Sequence, residues 1–172
     1  MKHIVTLITG GGRSGKSRYA LEISRSFENK VFIATAESFD DEMADRISRH
    51  RQERGNTFKT IEEPVRLAKA LAGVSAGTQV AVIDCITVWL GNLMHHLKID
   101  EKNCTPVDRF LDVLASPPCN VVIVTNEVGM GVIPADAMSR AYRDLAGAVN
   151  QKIAAVADAV FFMVSGIPFK IK

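Results

Sequence analysis

Residues 10–17 read Gly-Gly-Gly-Arg-Ser-Gly-Lys-Ser, the spacing G-x-x-x-x-G-K-[ST]. Glycine tolerates backbone conformations closed to other residues, so N–H groups from Gly12 to Ser17 can turn inward toward phosphate oxygens. The Lys16 ammonium is placed for β- and γ-phosphates, and the Ser17 hydroxyl for Mg²⁺. Gly10, Gly11, Gly12, Arg13, Ser14, Gly15, Lys16 and Ser17 are thus the candidate nucleotide-binding residues. A glycine-rich turn over a buried lysine stem would account for the glycines, but it has no need of the Gly-Lys-Ser triplet.

Three further side chains could take part. Asp84 closes the apolar run Val80-Ala81-Val82-Ile83, where a carboxylate can hold Mg²⁺ opposite Ser17. A helix N-cap for the segment starting at Cys85 is the competing reading. Glu127 follows Thr125-Asn126 and could orient water or accept a proton from an attacking hydroxyl. A loop ion pair would explain it equally. At about 100° per residue, His50 lies about 20° from Met43 and about 60° from Ile47 around a helix axis. It therefore shares the inward face, either as a satisfied, partly buried imidazole or as a nucleophile or phosphate ligand among guanidinium groups.

These residues need a scaffold, and the apolar runs supply one. His3 to Thr9, Val31 to Ala34, Val80 to Ile83, Val121 to Val124 and Val160 to Val164 read as strands. They are continuous rather than alternating, as befits strands buried on both faces of a parallel sheet. Ile167 to Ile171 reads as a last short edge strand. Between them lie helix patterns: one from Lys16, one over 41–54 capped by Asp40 and stopped by Gly55, and one capped by Thr105 with Pro106 first inside. A long helix over 136–157 has the stripe Met138, Tyr142, Leu145, Val149, Ile153 and Val156. Alternating β and α elements predict a three-layer α/β domain, 1–172, with a mostly parallel central sheet. In such sheets ligands bind at the carboxyl ends of the strands. The glycine loop, Thr35-Ala36-Glu37, Asp84-Cys85, Thr125-Asn126-Glu127 and Ser165-Gly166 would share that rim.

Composition excludes other classes. Over 172 residues, 21 basic and 19 acidic side chains leave a net charge of +2, no electrostatic case for nucleic acid or a membrane surface. No apolar run approaches the roughly 20 residues of a spanning helix. The chain enters a strand and a functional loop at once, which is not the pattern of a signal peptide. Cys85, Cys104 and Cys119 form no C-x-x-C pair, so unpaired thiols in a reducing cytoplasm are expected. His95 and His96 end a helix pattern, where the dipole favours them. Trp89 reads as core, and Arg140, Arg143 and Lys152 as solvated helix charges. A signalling GTPase is excluded, because Asn-Lys-x-Asp is missing and Asp84-Cys85-Ile86-Thr87 is not Asp-x-x-Gly.

Four segments together resemble the bifunctional adenosylcobinamide kinase/adenosylcobinamide-phosphate guanylyltransferase family. They are Ile8 to Arg18; Ile33-Ala34-Thr35 with Asp40-Asp41-Glu42-Met43 and Arg46-Ile47; Val124-Thr125-Asn126-Glu127-Val128-Gly129-Met130-Gly131; and Arg143 to Gly147 with Val149-Asn150-Gln151, ending in Val164-Ser165-Gly166-Ile167. The resemblance implies a RecA-like P-loop NTPase fold, a homotrimer, Mg²⁺, and adenosylcobinamide with ATP or GTP as substrates. It implies two reactions: phosphorylation of the aminopropanol hydroxyl, then transfer of GMP from GTP through an enzyme histidine to give adenosylcobinamide-GDP. The position matching that histidine is His50, with Lys16 and Glu127 as further catalytic candidates. Without the resemblance, the motifs fit a P-loop small-molecule kinase with a structural His50, or a non-catalytic nucleotide-binding module.

Overall fold

The apolar runs assemble into a single seven-stranded sheet in the computed structural model, which describes residues 2–37, 57–100 and 103–172. In chain order the described elements are β1 (Val5–Gly10), α1 (Lys16–Ile23), β2 (Lys30–Ala34), β3 (Lys59–Glu62), α2 (Leu67–Ala72) and β4 (Val80–Asp84). There follow α3 (Ile86–Leu97), α4 (Thr105–Ala115), β5 (Asn120–Val124), α5 (Ala137–Val156), β6 (Ala159–Val164) and β7 (Ile167–Lys170). The strand order is β3-β2-β4-β5-β1-β6-β7. Every pairing is parallel except β6 with β7. The helix expected over 41–54, its Asp40 cap and its Gly55 stop lie outside the described residues, and so does His50.

Period-two alternation divides the strand side chains between two cores. Leu7, Ile33, Ile83 and Ile123 join the cluster that buries α2 to α5. Ile8, Phe32, Val82 and Val124 turn to the opposite face, against Ala20 and Tyr19 of α1. Helix, sheet and helix make the expected three layers. Trp89 is fully buried, stacks edge-on to Phe110 at 5.4 Å and donates its indole N–H to Val65 O at 2.8 Å. That bond satisfies the one polar atom of the largest side chain in the core.

Four expectations shift. Edge strand β3 was not legible: its side chains are mostly exposed, and Ile61 is its one apolar residue. Helix α4 starts at Thr105, so Cys104 rather than Thr105 holds the cap position, and Pro106 sits in the first turn where a missing N–H costs nothing. The stripe of α5 buries Leu145, Val149 and Ile153, but Met138 and Val156 at its ends are exposed. A 20-residue helix is about 30 Å long, whereas the six residues of β1 span about 20 Å, so its ends overrun the sheet. Finally, the carboxylate of Asp136, just before α5, accepts from Ser139 N at 2.8 Å and acts as its N-cap.

Candidate functional site

Parallel register brings the strand ends to a common rim. Ala34 lies opposite Asp84, Asp84 opposite Val124, and Ile8 opposite Val124. The chain leaves β1 at Gly10, where φ is +144° and an added Cβ would stand 2.6 Å from Met163 O. Only glycine lets the loop turn there without displacing β6. The loop enters α1 through Gly15, a left-handed N-cap (φ +93°) that supplies no side-chain cap. The first-turn N–H groups of α1 are therefore open to an anion, with the helix dipole behind them. Two neighbours brace the loop: Gly166 N donates to Ser14 O at 3.0 Å, and Glu127 N donates to Gly10 O at 3.0 Å. The Ser165-Gly166 turn and the Glu127 segment thus stand on the rim where their sequence positions put them.

The Lys16 side chain is buried, and its ammonium donates to Gly11 O and, at 3.4 Å, to Ser14 Oγ. The cation is held inside the curve of the loop, where a polyanion would meet it. Ser17 is half-buried at the start of the same helix.

At Asp84 the cap reading fails. Residue 85, not 84, occupies the cap position of α3, and the Asp84 carboxylate caps nothing. Among the described residues its Oδ2 is buried without a hydrogen-bond partner. A buried carboxylate oxygen left unsatisfied is costly unless something positive or protic joins it. Together with the Ser17 hydroxyl, this oxygen donor suits a hard cation such as Mg²⁺. Among the described residues no group of three or more His, Cys, Asp or Glu forms a protein-only metal site, so such an ion would also need substrate or water oxygens.

Glu127 is half-buried, and Oε1 accepts from Gly129 N at 2.8 Å. The contact is a turn bond within its own loop rather than an ion pair. His96 Nε2 meets Glu37 Oε2 at 2.8 Å, giving that helix-end histidine a partner on the rim beyond its dipole placement. Arg140 donates to Pro134 O and Ala135 O, Arg143 pairs with Asp144, and Lys152 stands 3.6 Å from Asp108. None of these three cations is directed at the glycine loop.

Behind the rim lies a polar network. Thr35 Oγ1 donates to Cys85 O and accepts from Cys85 N, both at 2.8 Å, clamping the segment after Asp84. Asn150, buried in α5, accepts from Thr125 Oγ1 at 2.8 Å and donates to Asn126 O at 3.1 Å. Tyr142 OH donates to Thr87 O at 2.8 Å, and burial pushes its phenol above the ordinary tyrosine range. A buried asparagine within the apolar stripe of α5 was the one available signal. Asn150→Ala is expected to lose both bonds and strand Thr125, costing about 1–3 kcal/mol in urea unfolding. A variant as stable as the parent would deny Asn150 this role.

All three cysteines are buried and outside any disulfide, and burial pushes the Cys119 thiol up to about 11. No helix among the described residues is long and apolar enough to cross a membrane.

The cobinamide kinase / cobinamide phosphate guanyltransferase family model matches residues 6–171. Among curated relatives, the bifunctional adenosylcobalamin biosynthesis protein CobU of Escherichia coli (strain K12) is 35% identical, covering 98% of this chain and 100% of its own length. The protein of the same name from Salmonella typhimurium is 38% identical with the same coverage. The corresponding CobP of Pseudomonas aeruginosa is 39% identical over 96% of each chain. Among solved structures, the P4 protein from bacteriophage phi6 in complex with ADP is 19% identical, with a TM-score of 0.47, over 95% of this chain and 52% of that one. With the glycine loop, the Thr125-to-Gly131 segment and the Ser165-Gly166 turn gathered on one rim, and a match running almost end to end, this chain belongs to the cobinamide kinase / cobinamide phosphate guanyltransferase family.

Proposed function

We propose that this protein phosphorylates the aminopropanol hydroxyl of adenosylcobinamide with ATP or GTP, and then transfers GMP from GTP to the new phosphate. The observation that carries the reading is the buried Lys16 ammonium inside an uncapped glycine loop, on one rim with Asp84 and Glu127. In the first reaction the loop N–H groups and Lys16 bind the triphosphate and stabilise charge on the transferred phosphoryl group. Ser17 and Asp84 Oδ2 are the residues that would hold Mg²⁺, which when bound neutralises phosphate charge. Glu127, beside the loop, orients the attacking hydroxyl or takes its proton.

In the second reaction neutral His50 attacks the α-phosphorus of GTP and pyrophosphate leaves. The resulting phosphoramidate passes GMP to a phosphate oxygen of the acceptor as the P–N bond breaks and the imidazole departs. Two easier displacements replace one difficult one. Three buried cysteines outside any disulfide suit a reducing cytoplasm. A homotrimer is what the family resemblance implies, and the exposed Met130, Val132 and Ile133 of one loop and Ile167 and Phe169 of β7 leave apolar side chains available for assembly.

Intact-protein mass spectrometry after incubation with GTP and Mg²⁺ tests the reading. The expected result is one GMP adduct per chain, lost in acid and discharged by phosphorylated cobinamide. Turnover of cobinamide to its phosphate with no adduct at any time would leave a plain kinase.

A further inference from the structure

A cavity of about 490 Å³ opens at the carboxyl ends of β4 and β5, against α3 and α5. Its place follows from the rim: Cys85 in its wall succeeds Asp84, and Asn126 precedes Glu127, whose N–H bonds the glycine loop. Residues of α3 and Tyr142 of α5 line it and none of α1 does, so it adjoins the phosphate site without being part of the loop. Among the described residues no lysine, arginine, aspartate or glutamate lines it. Its polar lining is the Thr87 hydroxyl, the Asn92 and Asn126 amides, the Tyr142 phenol and the His95 ring, with Val88 as an apolar wall. These groups are held in place, since Asn126 Nδ2 donates to Thr87 Oγ1 at 3.2 Å and Tyr142 OH to Thr87 O at 2.8 Å.

Gly91 carries the argument further. It stands inside the 12-residue helix α3, where glycine costs about 1 kcal/mol relative to alanine. A Cβ added there meets no atom within 4 Å, so no neighbour requires its absence. The same residue lines the cavity, and the missing side chain leaves that space open.

We propose that this cavity receives the acceptor, specifically a neutral arm bearing amide and hydroxyl groups, and delivers its hydroxyl to the phosphate rim. This rests on the kinase reading above. Among the described residues the lining holds no lysine or arginine to grip a triphosphate, while its hydroxyl, amide and phenol groups match an amide-linked alcohol with a short apolar branch. The volume suits a side arm and excludes a substituted corrin macrocycle, which must stay outside the mouth near His95.

Gly91→Leu fills the cavity from a position that admits a side chain, and Gly91→Ala adds one methyl with nothing to strike. The leucine variant is expected to raise the KM for adenosylcobinamide about tenfold or more, and the alanine variant by a smaller factor in the same direction. GTP affinity and the rate of GMP attachment without acceptor are expected to stay within twofold of the parent in both. Unchanged acceptor KM in a folded leucine variant overturns the proposal. So does a parallel rise in nucleotide Kd, which would make the cavity a base-binding site. Should leucine prevent folding, alanine decides alone: an acceptor KM equal to the parent's overturns the proposal. A parent protein that attaches GMP but never phosphorylates cobinamide would instead remove the kinase reading, and with it this acceptor.

Discussion

Lys16→Ala is expected to lower both phosphoryl transfer to cobinamide and GMP attachment by about a hundred- to a thousandfold in kcat. The ammonium is buried and already folded onto Gly11 O and Ser14 Oγ, so it is oriented before any nucleotide arrives. Removing it deletes a buried cation held inside the phosphate-binding curve. The backbone donors remain, which is why the loss falls short of the whole rate enhancement. Nucleotide binding should weaken as well, because the same cradle holds the triphosphate in ground and transition states. Single-turnover assays with γ-labelled and α-labelled GTP separate the two reactions. Loss of one reaction with full retention of the other would show two phosphate sites instead of one.

His50→Asn is expected to abolish the protein-bound GMP and reduce guanylyl transfer by more than about a thousandfold, while phosphoryl transfer survives. The contrast with Lys16 is the point: one residue serves both chemistries through the shared cradle, the other only the covalent step. Asparagine keeps a polar side chain of similar reach but lacks an imidazole nitrogen able to form and break the P–N bond. Incubation with α-labelled GTP followed by denaturation reads the adduct directly, and cobinamide phosphorylation by the same preparation shows that the fold is intact. Undiminished acid-labile label on the variant would place the nucleophile elsewhere.

The glycine loop, the continuous apolar strands and the long helix α5 were legible because each rests on neighbours in sequence. Loop glycines answer to local φ, strand burial to a run of branched side chains, and a helix to a stripe of apolar side chains at its own period. Asp84 was legible as a carboxylate at a strand end, a place that suits a metal ligand or a cap. Three dimensions add that it caps nothing and that, among the described residues, its Oδ2 is buried with no partner. The edge strand β3 escaped for the opposite reason: four mostly exposed residues carry no periodic signal, and their pairing with β2 supplies the order.

Strand order belongs to the same class. Nothing local says that β5 must lie between β1 and β4, yet that insertion puts Asn126 and Glu127 beside the glycine loop. The bonds of Asn150 to Thr125 and Asn126 span about two dozen positions, and Tyr142 meets Thr87 from 55 residues away. The cavity they frame exists only when α3 and α5 are packed on one face of the sheet. Chemistry tied to short-range backbone geometry could be read from the order of residues. Selection of a neutral partner beside the phosphates depends on contacts between distant segments, which no window along the chain contains.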